Sequence, residues 1–309
     1  MKKLREKTNI LLSFKRYWFL YVLIIPGLVA LTIYAYVPMF LQIVLAFTDY
    51  KFADGIFGSS FAGFDNFRYV FTALPNFGRI LGNTLFFSLM DFIFSFFPSL
   101  ILAVFLFDIT HNMFRKVAQT ILYIPYFFSW VIVYSIAYGL LSNTGMLNAL
   151  ISSLGGEPID FLTNPNAIRP ILYIFSTWKG VGWGTIIYLA AMQSIDTELY
   201  EAAKIDGCGP IRRTFAITLP GIRDVIFYLL IFAFGGIFAG GNTELILLFY
   251  NPAVKPKIET IGIWLYNTGL NEFEYSYGAA LSFVQSTLGM VLVLVANAYM
   301  SKKHKVSIW

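Results

Sequence analysis

The sequence predicts an all-α integral membrane protein with six transmembrane helices. Three observations carry that reading: a composition more apolar than that of soluble domains, six apolar stretches long enough to cross a bilayer, and basic residues concentrated in alternate loops. Of the 309 residues, 58% are hydrophobic and 13% charged, against about 45 to 50% and about 25% in soluble domains. The 22 Lys and Arg exceed the 17 Asp and Glu, for a net charge of +5. In a soluble chain that excess would suggest nucleic acid. Here the placement of the charges decides, and no nucleic-acid partner is expected. Cys208 is the single cysteine and cannot form an internal disulfide, while His111 and His304 are too few and too far apart for a metal cluster. No metal site is expected.

A helix crosses a hydrocarbon layer of about 30 Å with about 20 mainly apolar residues. The first candidate, 17–48, holds 32 positions without a charged side chain. A signal-peptide core has only about 7 to 15 residues, and no small-residue cleavage site follows closely, so this stretch reads as a retained span. Tyr17 and Trp18 are expected to anchor it at the inner interface. The remaining candidates are 84–107, 117–141, 170–192, 224–250 and 277–300. Lys and Arg number six, two, four and three in residues 1–16, 108–116, 193–223 and 301–309, but three, one and two in 49–83, 142–169 and 251–276. The richer set is expected to face the cytoplasm, with both termini. The resulting organisation is a cytoplasmic N-terminal segment 1–16, one six-helix domain 17–300 and a cytoplasmic tail 301–309.

The most informative loop is 194–222, SIDTELYEAAKIDGCGPIRRTFAITLPGI. Asp196 can cap a helix with Glu198 in its first turn, Ala202 and Ala203 favour helix, and Asp206 with Gly207 supplies a stop. Pro210 suits a first helical position, and the second helix is expected to run towards Ile217 and end at Leu219 and Pro220. Two short helices about a glycine turn make a compact knob.

With Glu201, Ala202, Ala203, then Gly207, Ile217, Leu219 and Pro220, this loop resembles the EAA loop of permease subunits of bacterial ABC importers. The segment GFDNFRYVF at 63–71 resembles one that follows the first span in sugar-type members. The resemblance covers nearly the whole chain and is greatest to permeases for oligosaccharides or multiple sugars. It implies a type I ABC importer permease (MetI-like) architecture in the cell membrane of a bacterium. It also implies that the loop docks on an ATP-binding subunit through Glu201, Ala202, Ala203, Asp206, Gly207, Arg212, Ile217, Leu219 and Pro220. Arg212 and Arg213 either meet acidic groups of that partner or satisfy the inward basic bias. A second permease subunit, two ATP-binding subunits and an extracellular sugar-binding protein are expected as partners in the lipid bilayer. ATP and Mg belong to the ATP-binding subunits. This chain contains no G-x-x-x-x-G-K-[ST] segment to cradle phosphates and is expected to bind no cofactor and have no catalytic residue of its own.

Ionisable or irregular positions within spans are the candidates for a substrate pathway. Asp91, Lys179 and Glu244 are ionisable, while Gly180, Gly182, Gly184, Gly240 and Gly241 permit close packing or a local break. A sugar needs neutral hydrogen bonds and an aromatic face, which Trp178, Trp183, Phe238 and Asn242 can supply. By position relative to the EAA loop, Ser176 to Trp183 and Ala233 to Gly240, including Ile237, match the region where maltose-type permeases line their sugar site. The same glycines can equally be packing contacts, and Asp91 with Lys179 can neutralise each other. Two other functions compete: an ion- or proton-coupled secondary transporter using Asp91, Lys179 and Glu244, and a membrane enzyme, for which no nucleophile-base or H-E-x-x-H pattern is present.

Overall fold

A computed structural model describes residues 10–308. The expected cytoplasmic segment 1–16 lies outside the described residues through residue 9, as does Trp309 of the tail. The described residues are mostly helical, and among them is one small antiparallel pair, β1 (Thr48–Asp49) and β2 (Ser60–Phe61). It divides into two compact units.

The first unit comprises the chain through residue 73 together with residues 273–283. Helix α1 (Ile10–Leu31) kinks at Tyr17, where the expected span begins, and passes through a wide turn, Thr32–Tyr36, into α2 (Val37–Ala46). All side chains from residue 17 to 40 are exposed, as suits a helix apolar on every face in lipid. At its end Phe47 packs against Phe64, Phe67 and Phe283 at 5.5, 4.9 and 6.0 Å. Buried Asn66 donates to the carbonyls of Ala46 and Thr48 at 3.1 and 2.9 Å. The 63–71 segment thereby satisfies backbone groups left over where the first span stops.

The second unit comprises residues 74–272 and those from 284 onward. Helices α3 (Phe77–Asp91) and α4 (Phe97–Asp108), joined by the wide turn Phe92–Phe96, form one stretch. Next come α5 (Asn112–Tyr123), α6 (Trp130–Leu141), α7 (Met146–Ser153) and the long α8 (Ile168–Met192). One end of α8 joins a core with Phe87, Leu141, Leu245 and Ile258; the other joins Ala103, Leu106 and Ile222. Lipid tails are as apolar as these side chains, so close packing rather than water exclusion holds the helices together. Gly182 provides it, since a Cβ there would collide with the Leu122 carbonyl.

Among the described residues four helical stretches are long and apolar enough to span a bilayer, namely Tyr17–Ala46, Phe77–Asp108, Trp130–Ser153 and Tyr275–His304. A fifth arises if Pro210–Gly221 and Arg223–Gly235, bent by 67°, count as one. Six uniform spans are thus more than these criteria return: the third expected stretch is displaced to Trp130–Ser153, and the fourth and fifth do not pass as single helices. The 117–141 stretch breaks at Pro125, where a tight turn (Ile124–Phe127) intervenes and Ser129 caps α6 by accepting from the Ile132 N–H at 3.3 Å. Helix α8 has 25 residues, enough to span, but Lys179, Ser176, Thr177 and its glycines dilute its apolar character. The 224–250 stretch stops after Gly235 and resumes only at Thr243, because Gly240 and Gly241 adopt φ of +76° and +78°.

Candidate functional site

The knob forms as its residues dictate. Asp196 accepts from the Glu198 N–H at 3.0 Å and caps α9 (Thr197–Ile205). Gly207 ends it at φ +71°, and the N–H groups of Gly207 and Cys208 donate to the carbonyls of Lys204 and Ala203 at 3.1 and 2.8 Å. This six-to-one and five-to-two pair is a Schellman closure, which requires the left-handed residue that glycine supplies. Pro210 then opens α10 (Pro210–Arg213). The helical path continues through a wide turn, Thr214–Thr218, to Gly221 and breaks only at Ile222. Leu219 and Pro220 therefore do not end the second helix as expected, and Leu219 stays helical at φ −63°, ψ −44°. The wide turn removes the carbonyl that the Pro220 ring would strike in a regular helix.

The structure buries Ala203 and Thr218 and half-buries Ile217 and Leu219, while Glu201, Ala202, Asp206, Arg212 and Pro220 are exposed. It also exposes Ile205, Ile211 and Phe215 at 88, 77 and 68%, an apolar surface that the sequence reading missed. Arg213 turns inward to Asp108 at 2.7 Å.

The pathway candidates separate into three places. Asp91 and Gly241 line a cleft of about 400 Å³ formed by the Phe92–Phe96 turn, α8 and α11 (Arg223–Gly235) with its broken end. Ser176 donates to Asp91 at 3.5 Å, and the Gly240 N–H donates to Ser88 at 2.9 Å. Ile237 lines a smaller adjoining pocket with Ser88 and Phe92. Lys179 and Trp183 lie elsewhere, with Tyr126: the ammonium donates to the Tyr126 carbonyl at 2.7 Å and sits 4.9 Å from both the Tyr126 and Trp130 rings. Trp183 stacks on Tyr126 at 4.3 Å. Lys179 therefore does not neutralise Asp91. Asn242 caps the six-residue α12 (Thr243–Leu248) by accepting from the Leu245 N–H at 2.9 Å, with exposed Glu244 in its first turn and half-buried Phe238 before the break. Of the α8 glycines, Gly182 is a packing contact, Gly184 packs against Ser99 and lines the cleft with Asp91, and Gly180 has open space beside it.

Residues 36–303 match the family model for the binding-protein-dependent transport system inner membrane component. The chain belongs to that family. It is similar to Protein LplB of Bacillus subtilis, at 39% identity over 94% of this chain and 91% of that protein. It is 38% identical to the polygalacturonan/rhamnogalacturonan transport system permease protein YteP of the same organism, over 97% and 93%. Among solved structures it superposes on a chain of a bacterial alginate ABC transporter, crystallised with an alginate pentasaccharide-bound periplasmic protein, with a TM-score of 0.85, 33% identity and coverage of 96% and 98%. These matches favour an ABC importer permease over the ion-coupled transporter.

For an importer permease of this family, the cleft holds residues that the sequence reading overlooked. Ser88, Ser95 and Ser99 line it beside Asp91 and Phe92. With Asp91 they fall at 88, 91, 95 and 99, a spacing of three to four residues that marks one face of a helix and was a usable signal. Tyr126 and Trp130 carried no comparable signal, because nothing in the sequence pairs them with Lys179.

Proposed function

We propose that this permease carries an oligosaccharide across the bacterial cell membrane by alternating access, driven by separate ATP-hydrolysing subunits that dock on the knob 201–220. The observation that carries the reading is the knob itself: an EAA sequence closed by Gly207, with Ile205, Ile211 and Phe215 exposed beside it. Large exposed apolar side chains grouped with charged Glu201 and Arg212 suit burial in a partner's groove. The excess of basic residues in alternate loops supports a cytoplasmic knob and cytoplasmic termini. The expected assembly pairs this chain with a second permease subunit and two ATP-binding subunits holding ATP and Mg, and receives saccharide from an extracellular binding protein. The saccharide class is supported by the names of YteP and of the alginate transporter. Within the chain, Asp91, Ser176, Ile237 and Gly241 are the group best placed to meet it, because they line or adjoin one cleft.

The test is to purify the chain with its co-assembling subunits and measure ATP hydrolysis with the binding protein and a panel of oligosaccharides. One saccharide should stimulate hydrolysis several-fold. Gly207→Pro removes the N–H that closes the turn and forbids its positive φ, so it should abolish retention of the ATPase. Retention unchanged in that variant would refute docking at the knob.

A further inference from the structure

We infer that the ion pair between Arg213 and Asp108 is a tie that carries movement of the knob into the Phe77–Asp108 stretch; the inference rests on the knob being the motor's docking site. The two residues are 105 positions apart and meet at 2.7 Å, with side chains 16% and 27% exposed. The knob's covalent connections lead only to its chain neighbours, α8 and α11. The Arg213 contact adds a direct link to a third element.

Asp108 is the last residue of α4. The carbonyl end of a helix carries partial negative charge, so an acid there is unfavourable unless a cation answers it. Arg213 answers it, and it is held for the purpose. Its guanidinium lies 5.7 Å from the Tyr200 ring centroid, that ring packs 5.7 Å from Phe107, and the Tyr200 hydroxyl meets the Thr218 hydroxyl at 3.1 Å. Tyr200 thus clasps both knob helices and braces the tie against the end of α4.

The contact uses one prong of the guanidinium, and Arg213 Nε is buried without a partner. Arg and carboxylate commonly close two parallel bonds. A one-pronged pair lets the carboxylate swing while staying attached, with a second donor ready when the knob shifts. Motion delivered to Asp108 runs up α4 past Ser99 to the wide turn Phe92–Phe96, which lines the Asp91 cleft. The tie is therefore a route by which docking at the cytoplasmic face alters the cleft.

The experiment uses the whole assembly in proteoliposomes and reads saccharide uptake per ATP hydrolysed. Wild type must first show saccharide-stimulated hydrolysis; its absence would refute the importer reading and leaves this ratio undefined. Asp108→Asn should lower uptake per ATP at least fivefold while hydrolysis changes less than twofold. The exchange Asp108→Arg with Arg213→Asp should restore the ratio to within threefold of wild type. A local staple would instead lower assembly yield and reduce uptake and hydrolysis together, leaving the ratio unchanged. An unchanged ratio in Asp108→Asn overturns the tie, and so does an exchange variant that assembles without restoring it. If the exchange variant fails to assemble, Asp108→Glu replaces it, with the ratio expected within threefold of wild type and a fivefold loss counting against the tie.

Discussion

Lys179 stands out in the sequence because an ammonium in a span needs protein or water around it, and its partner turns out to be a backbone carbonyl. Tyr126 lies in the tight turn before α6, so its carbonyl has no regular helical donor, and the Lys179 ammonium supplies one at 2.7 Å between two aromatic rings. The charge and the break in the neighbouring stretch explain each other. Lys179→Met keeps most of the volume but leaves a half-buried carbonyl without this donor, at a cost of about 1 kcal/mol, the low end of the penalty for an unpaired buried group. The purified assembly should unfold at a lower temperature. Uptake lost with no change in that temperature would instead place Lys179 in the saccharide's path. Asp91 differs: it accepts from Ser176 at 3.5 Å and lies on the cleft.

At the level of helices, the effect of a proline depends on the turn before it. Pro38, Pro98 and Pro220 each follow a wide turn, at Thr32–Tyr36, Phe92–Phe96 and Thr214–Thr218; past Pro38 and Pro98 the helix runs on to Ala46 and Asp108, whereas past Pro220 it reaches only Gly221. Widening one turn removes the carbonyl that the ring would strike, so a proline placed just after such a turn is accommodated within the helix. Pro125 does end a helix, because the Ser129 cap lets a new one start at Trp130. Sequence alone does not separate the two cases, since the choice depends on what packs alongside. Glycine was more legible: Gly207 closes the knob where the EAA spacing put the turn, and Gly240 with Gly241 breaks the fifth stretch. Gly241→Ala should cost about 1–2 kcal/mol through its left-handed backbone and press on Phe87, whose Cβ lies 3.3 Å from the added methyl. Gly180→Ala meets nothing within 4 Å and should leave stability within about 0.5 kcal/mol of wild type or raise it slightly. Thermal unfolding of the two assemblies gives the comparison.

For the molecule as a whole, hydropathy and charge made the membrane class readable, because both are properties of long stretches that no single contact overrides, while the importer family was readable from the residue spacing of the EAA loop. The network at the far loop was not readable: Glu259 is paired with Arg79 at 2.8 Å, and Asn83 bridges Arg169 and the Glu259 carbonyl at 2.7 and 2.9 Å, through side chains over 80 positions apart. Orientation remains a deduction from fifteen basic residues in one set of loops against six in the other, and the chain carries its own probe for it. Cys208, the single cysteine, is half-exposed in the turn of the knob. A membrane-impermeant maleimide should label it in inverted vesicles and spare it in intact cells. If the apolar face around Ile205, Ile211 and Phe215 seats the motor, adding the ATP-binding subunits to vesicles stripped of them should slow labelling at least fivefold. Labelling in intact cells would reverse the topology, while equal rates with and without the motor would remove the knob as its docking site. The two arms fail independently because the first depends on where the loop charges lie and the second on what covers the turn.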